Sequence, residues 1–227
     1  MRSLMIWALA ISVSSPAFAQ WKLLTKKYGI KVYRRASNSS QFHIFRAVGV
    51  VKAPPSRVFT IVQDIKKMPR WVEGAHNVRL IKKNFNAKSY NLKINQYYQI
   101  FYAMAKVPWP FENRDYILKG TVGYRQKQKA SHIKLTNVRH RKYPPKKGLT
   151  RMRIMRINMS IKAVNKGAHA LVDFTVHADP GGNLPPWIVN YMAKNEPLKS
   201  LRKLRRLASS GNYDKETEKL VKHHMFH

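Results

Sequence analysis

The stretch His177-Ala178-Asp179-Pro180-Gly181-Gly182-Asn183-Leu184-Pro185-Pro186-Trp187 divides the sequence into two periodicities. Ahead of it, Ala168 to His177 reads as a strand in which apolar residues recur every second position. Beyond it, Trp187, Tyr191, Leu198, Leu201, Leu204, Leu207 and Ala208 recur at helical spacing, with Pro197 predicting a kink, while Lys199, Arg202, Lys203 and Arg206 fall on the opposite face. The Asp-Pro-Gly-Gly run between them carries two residues suited to left-handed backbone, so a sheet ends there in a turn and a long helix begins.

Further strands are expected at Tyr116 to Tyr124, His132 to Val138 and Arg151 to Ile161. Within the last, the apolar phase shifts between Ile154 and Met155, which predicts a bulge that bends the sheet. Upstream, Tyr90, Leu92, Ile94, Tyr98, Ile100, Tyr102 and Met104 form an even-numbered stripe interrupted by Gln96, expected as one long strand or two joined by a bend. Phe42, Ile44, Arg46, Val48 and Val50 alternate with His43, Phe45, Ala47 and Gly49 in another strand.

After Pro54-Pro55, Ser56 is read as the N-cap of a helix carrying Val58, Ile61, Val62 and Ile65, stopped by Met68-Pro69, with Trp71 following in a loop as a core plug. Trp21, Leu24 and Tyr28 predict a short opening helix ending at Gly29, before a strand at Ile30 to Arg34. The order of elements is one α+β domain, a curved antiparallel sheet followed by a long C-terminal helix, with no internal repeat or linker.

Composition bounds the function. Forty-four Lys and Arg face ten Asp and Glu, a formal charge of +34, so the partner or environment is expected to be polyanionic: nucleic acid, anionic lipid or an acidic envelope polymer, unless the charge serves solubility alone. Residues 1–19 read as a signal peptide: Arg2, an apolar run from Leu4 to Val13 too short for the roughly 20 residues of a membrane span, Pro16, and Ala17-Phe18-Ala19 before Gln20. Export to the periplasm or cell envelope is therefore expected, and it weighs against nucleic acid as the partner. The chain has no cysteine, which excludes disulfides and thiol chemistry.

Four blocks resemble the START family, the steroidogenic-acute-regulatory-related lipid-transfer domains of the helix-grip superfamily. They are Val51-Lys52-Ala53-Pro54-Pro55-Ser56-Arg57-Val58 running through Asp64 to Trp71, Pro108-Trp109-Pro110-Phe111-Glu112-Asn113-Arg114-Asp115-Tyr116, the stretch from His177 to Pro185, and Trp187-Ile188-Val189-Asn190 continued by Pro197-Leu198. The resemblance runs from about Trp21 to Leu207 and places a START-like domain at residues 20–210, followed by a basic tail at 211–227 that is expected to be poorly ordered or a loose extra helix.

The resemblance implies a curved sheet gripping the last helix, with an apolar tunnel between them that holds one lipid. Candidate lining residues are Tyr98, Ile100, Tyr102, Met155, Ile157, Met159, Ile188 and Met192, although each, taken singly, reads as ordinary core. Arg46, Gln96, Arg156 and Asp173 are the polar residues expected to meet a head group. Trp71, Trp109 and Trp187 are expected to pack, and Arg114-Asp115 to form an ion-pair network fixing the sheet edge.

A carrier must dock on membranes. Lys199, Arg202, Lys203 and Arg206 are candidates for drawing the protein to an anionic leaflet, with Leu184 and Trp187 inserting; the basic loop Arg139 to Lys147 is either a solvated hairpin tip or a second anionic contact. No cofactor, metal site or catalytic residue is expected: acids are few, and His223, His224 and His227 fall in the tail without an acidic shell. A monomeric lipid carrier leads. The rivals are a polyanion-binding envelope protein with a closed core and a helix-grip enzyme acting on a hydrophobic substrate.

Overall fold

The computed structural model describes residues 20–84, 97–125, 129–211, 213–215, 218–219 and 222. The elements in chain order are β1 (Lys22–Lys27), β2 (Ile30–Arg35), β3 (Ile44–Val51), α1 (Pro55–Gln63), α2 (Met68–Trp71), β4 (Ala75–Lys83), β5 (Tyr98–Ala105), β6 (Asn113–Arg125), β7 (Ala130–Asn137), β8 (Leu149–Arg151), β9 (Ile154–Val164), β10 (His169–Asp179) and α3 (Pro186–Ser209). Among the described residues the strands form one sheet in the order β1-β2-β3-β10-β9-β7-β6-β5-β4, with short β8 added to β6. All pairings are antiparallel except that of β8, and the curved sheet grips α3 as the α+β helix-grip architecture requires.

The segment expected as an opening helix is instead the first strand of a hairpin. Tyr28 and Gly29 both have positive φ, 55° and 65°, the two-residue turn whose twist suits a tight hairpin. A bulge between Leu23 and Thr25 inserts an extra residue, so the apolar spacing of Trp21, Leu24 and Tyr28 imitates a helix in a strand that is locally out of phase. In β3 the buried residues are Phe45, Ala47, Gly49 and Val51, whereas Val50 is exposed; the richer-looking even face is the outer one.

Pro54, not Ser56, caps α1, with Pro55 in the first turn where no amide hydrogen bond is lost. Ser56 is buried. Asp64 leaves helical geometry and accepts the Lys66 amide at 2.9 Å, ending α1 before a 3-10 turn at Ile65–Lys67. Met68-Pro69 therefore starts α2 rather than stopping α1, and Trp71 lies in that short helix, buried as a core plug.

The strand expected over Arg151 to Ile161 is broken at Met152-Arg153. The Met152 amide donates to the Asp115 carbonyl at 3.0 Å and the Arg153 amide to the Asp179 carbonyl at 2.9 Å, so the chain leaves one neighbour for another. This transfer accounts for the phase change. Past α3, Tyr213 lies under the Arg57 guanidinium at 4.3 Å, and Arg57 Nε pairs with Glu218 at 3.2 Å, so the described part of the segment expected as a loose tail packs back on α1.

Candidate functional site

The turn that opens α3 is built by Arg114. This residue is 3% exposed and donates to the carbonyls of Pro180 at 3.3 Å, Gly181 at 3.1 Å and Glu112. Burial lowers the Arg114 pKa, and the three carbonyls stand in for the water it has lost. Asp179 caps the same turn by accepting the Gly181 amide at 2.9 Å. Gly181 has φ 65°, and a Cβ there would stand 3.0 Å from the Arg151 carbonyl oxygen, so this position needs glycine twice over.

Asp115, on the other face of β6, accepts two hydrogen bonds from Arg151 at 2.7 and 3.0 Å. The Arg114-Asp115 pair is thus two separate constructions. Neighbours in a strand point to opposite faces, so one side chain holds the helix turn and the other holds β8.

Three apolar clusters meet beneath this turn: one on α1, β2, β3 and the second half of α3, one on α2, β5 and β6, and one joining Phe42, Leu184, Ile188 and Val189. Between them lies a cavity of about 190 Å³, far above the ~10–15 Å³ that one water occupies. Its walls are mostly apolar: Phe101 from β5, Tyr116 from β6, Met155, Ile157 and Met159 from β9, Phe174 and Val176 from β10, Trp71 and Val72 at the end of α2, and Val189, Met192 and Ala193 from α3. The polar side chains on the wall are His43, Glu73, Arg114, Glu196 and Ser200.

Of the residues singled out from sequence, Met155, Ile157, Met159 and Met192 stand on this wall. Ile188 packs at the end of the cavity with Phe42 and Leu184. Tyr98, Ile100 and Tyr102 are placed on the other face of β5, because Phe101 and Ala105 point inward. The loop between β7 and β8 covers that outer face: Tyr143 stacks on Tyr102 at 5.6 Å, and burial with the nearby Asp115 carboxylate pushes the Tyr102 hydroxyl up to about 12. Tyr143 anchors the basic loop to β5, while its bases Arg139, Arg141, Lys142, Lys146 and Lys147 are exposed, as the solvated-tip reading expects. Tyr98 lies between the amines of Lys119, at 4.9 Å, and Lys82, at 5.9 Å.

The expected head-group residues are likewise outside the cavity. Arg46 and Asp173 satisfy each other in a bidentate pair across β3 and β10, with one hydrogen bond of 2.8 Å, and this contact raises the Arg46 pKa. Arg156 is exposed on β9, and Gln96 lies outside the described residues, as do residues 1–19, His223, His224 and His227.

Among the docking candidates, Leu184 is 7% exposed and belongs to the apolar cluster at the cavity end, a burial that corrects its expected role as an inserting residue. Trp187 is 70% exposed and Trp109 92% exposed, so neither has the packing role expected of it. Lys199 and Lys203 hold Glu73 at 3.4 and 2.5 Å, Arg202 lies over Tyr28 at 4.0 Å, and Arg206 is exposed.

Sequence reasoning missed Glu73 and Glu196. Hydrogen bonding from Lys203, with help from Lys199, holds the Glu73 carboxyl below its ordinary range. Burial, reinforced by the charge of Glu73, pushes Glu196 up to about 7. A signal was present: Glu196 is the sole acid in α3 and falls four residues after Met192 and seven after Val189, on the same helical face.

A family comparison bears on this arrangement directly, since the START domain model matches residues 13–214. The chain belongs to the START domain family. This START domain is 25% identical over 208 residues to the phosphatidylcholine transfer protein of Rattus norvegicus, covering 88% of this chain and 87% of that one. It is 26% identical over 215 residues to an uncharacterized protein of Pseudomonas aeruginosa, covering 92% and 96%. A solved STAR-related lipid transfer protein fragment from Xanthomonas axonopodis superposes with a TM-score of 0.70 at 25% identity, over 83% of this chain and 98% of that one. Human StAR-related lipid transfer protein 5 shares the fold, with a TM-score of 0.73 at 17% identity over 87% and 90%. The sequence relatives named for an activity are lipid-transfer proteins, not enzymes.

Proposed function

We propose that this START domain binds a lipid or another hydrophobic small molecule in the cavity between α3 and the sheet and carries it between membranes. The cavity carries the proposal: a void walled almost wholly by apolar side chains is stable only if it stays dry or holds an apolar ligand. Methionines at 155, 159 and 192 supply walls that reshape around flexible chains. The named relatives are transfer proteins, which supports the same reading. A tightly filled centre would have favoured the closed-core, polyanion-binding rival.

Docking is assigned to the end of the cavity where Val107 and Phe111 pack against Ile188 and Leu184. Trp109, Trp187 and Tyr191 are the exposed large side chains of that chain neighbourhood, suited to the membrane interface, where an aromatic ring bridges apolar and wet surroundings. Exposed bases such as Lys194 and Arg156 then add attraction to an anionic leaflet, about 1 kcal/mol for each one held near the surface. Export, with cleavage after Ala19, places this activity in the periplasm or envelope, and the carrier works as a monomer.

The test is native mass spectrometry of the mature protein purified from its own host, with organic extraction of whatever is bound, followed by a donor-to-acceptor vesicle transfer assay. A stoichiometric hydrophobic ligand that the protein moves between vesicles is expected. An empty protein that takes up no member of a broad lipid panel overturns the proposal.

A further inference from the structure

The cavity wall carries a charge pattern that opposes the rest of the molecule. A chain with forty-four bases and ten acids places two of those acids, Glu73 and Glu196, in the wall of an apolar cavity. They are not equivalent. Glu73 is neutralised by Lys199 and Lys203 reaching down from α3. Glu196 has no hydrogen-bond or ion-pair partner among the described residues.

The cavity's own cation does not serve Glu196. Arg114 spends Nε, Nη1 and Nη2 on the carbonyls of the Asp-Pro-Gly-Gly turn and of Glu112. The other groups facing Glu196 are Glu73 and the backbone of Gly74 from the segment after α2, Lys199 and Ser200 from its own helix, and Tyr116 from β6; Lys106 donates its amide to the Gly74 carbonyl beside them, and His43 completes the wall. Lys199 and Lys203 are committed to Glu73 and Arg114 to backbone carbonyls, so among the described residues no cation within ion-pair distance is left for Glu196. An anionic ligand end placed against Glu196 would meet a carboxyl that has no cation of its own, whereas a cation would supply the partner Glu196 lacks.

Resting on the cavity reading above, we infer that the cavity takes amphiphiles whose polar end is an ammonium group, with the Glu196 carboxylate as its counter-ion. Without a ligand, burial and the neighbouring Glu73 favour the protonated acid, and Glu196 titrates near 7. Pairing with a cation requires the ionised form. Binding therefore tightens as pH rises and weakens about tenfold per unit well below that value. Glu73 is held ionised by its lysines and the Tyr116 hydroxyl is pushed upward by burial, so neither reverses this sign across the neutral range.

The experiment titrates the mature protein with dodecyltrimethylammonium, dodecanol and dodecanoate below their micelle concentrations, at about pH 8 and about pH 5.5, by calorimetry. The quaternary probe does not titrate, so any pH dependence belongs to the protein. The expected result is preferential binding of the ammonium, about tenfold or more tighter at the higher pH, with Glu196→Gln removing the pH dependence and His43→Gln keeping it. Thermal melts confirm that both variants fold. Dodecanoate preferred, or Glu196→Gln binding the ammonium as wild type does, overturns the assignment of Glu196 while leaving the carrier reading intact. Failure of all three probes to bind overturns both.

Discussion

Along α3 the second half, from Ser200 to Ala208, buries Leu201, Leu204, Leu207 and Ala208 against α1, β2 and β3, whereas the first half, from Trp187 to Glu196, turns Val189, Met192, Ala193 and Glu196 toward a void and leaves Trp187 and Tyr191 in solvent. One continuous helix is thus an anchor at one end and a wall at the other. The anchor is reinforced by Arg205, which donates to the Val50 carbonyl at 2.7 Å, to Gly29 at 3.2 Å and to Tyr28, tying α3 to β3 and to the first hairpin turn. Gly49 permits that approach, since a Cβ there would meet Arg205 Nη2 at 2.9 Å and Leu201 Cδ2 at 3.0 Å. The lesson is that a cavity can be held open when the element forming its wall is fixed elsewhere: close packing of the distal half supplies stability that the hollow half does not.

That contrast can be broken most forcefully at Leu204. Leu204→Ala should cost about 3–4 kcal/mol in chemical denaturation, the transfer term plus the cavity left in a closely packed site. A loss under ~1 kcal/mol would show that the distal half is not the anchor.

The next effect has the opposite sign. Glu196 is held up to about 7 in the folded chain, against an ordinary carboxyl value of 4.5, so its burial costs nothing while both states are protonated. The penalty appears as pH rises between those values and is complete above about 7, where it amounts to at most ~3 kcal/mol. Glu196→Gln should therefore raise the melting temperature at about pH 8, and the gain should vanish below about pH 4.5. A melting temperature unchanged at the higher pH would mean that the wall carries no stored electrostatic cost.

Gly49→Ala should destabilise by about 1–3 kcal/mol through overpacking of α3 on β3, read as a lower denaturation midpoint with unchanged slope. Trp187→Ala, at the exposed end, should change stability by less than about 0.5 kcal/mol while reducing co-sedimentation with anionic vesicles. Equal vesicle binding by this variant would remove Trp187 from the docking surface and leave Trp109 and Tyr191 as its aromatic members.

Much of this was legible in the chain, and the failures have identifiable causes. The period-two pattern of β9 placed Met155, Ile157 and Met159 on one face, and the cavity lies on that face. The same rule misdirected β5, because Tyr98, Ile100 and Tyr102 look inward by hydrophobicity yet face out, where the loop carrying Tyr143 and the Lys82 and Lys119 side chains give them cover. A strand with apolar residues on both faces has no unique phase until its neighbours are known. Arg46 and Asp173 were read as a head-group site because charged residues within strands invite a functional reading; a 127-residue separation concealed that they satisfy each other.

What the sequence by itself determined was the succession of elements on either side of Asp179-Pro180-Gly181-Gly182, since alternation, helical spacing and left-handed glycines are local properties of the chain. The tertiary structure alone decided which face of each strand is inside, that Arg114 clamps the turn, and that Glu196 meets an apolar void beside Glu73. Those outcomes depend on side chains brought together from distant segments, where burial and charge act through space rather than along the backbone.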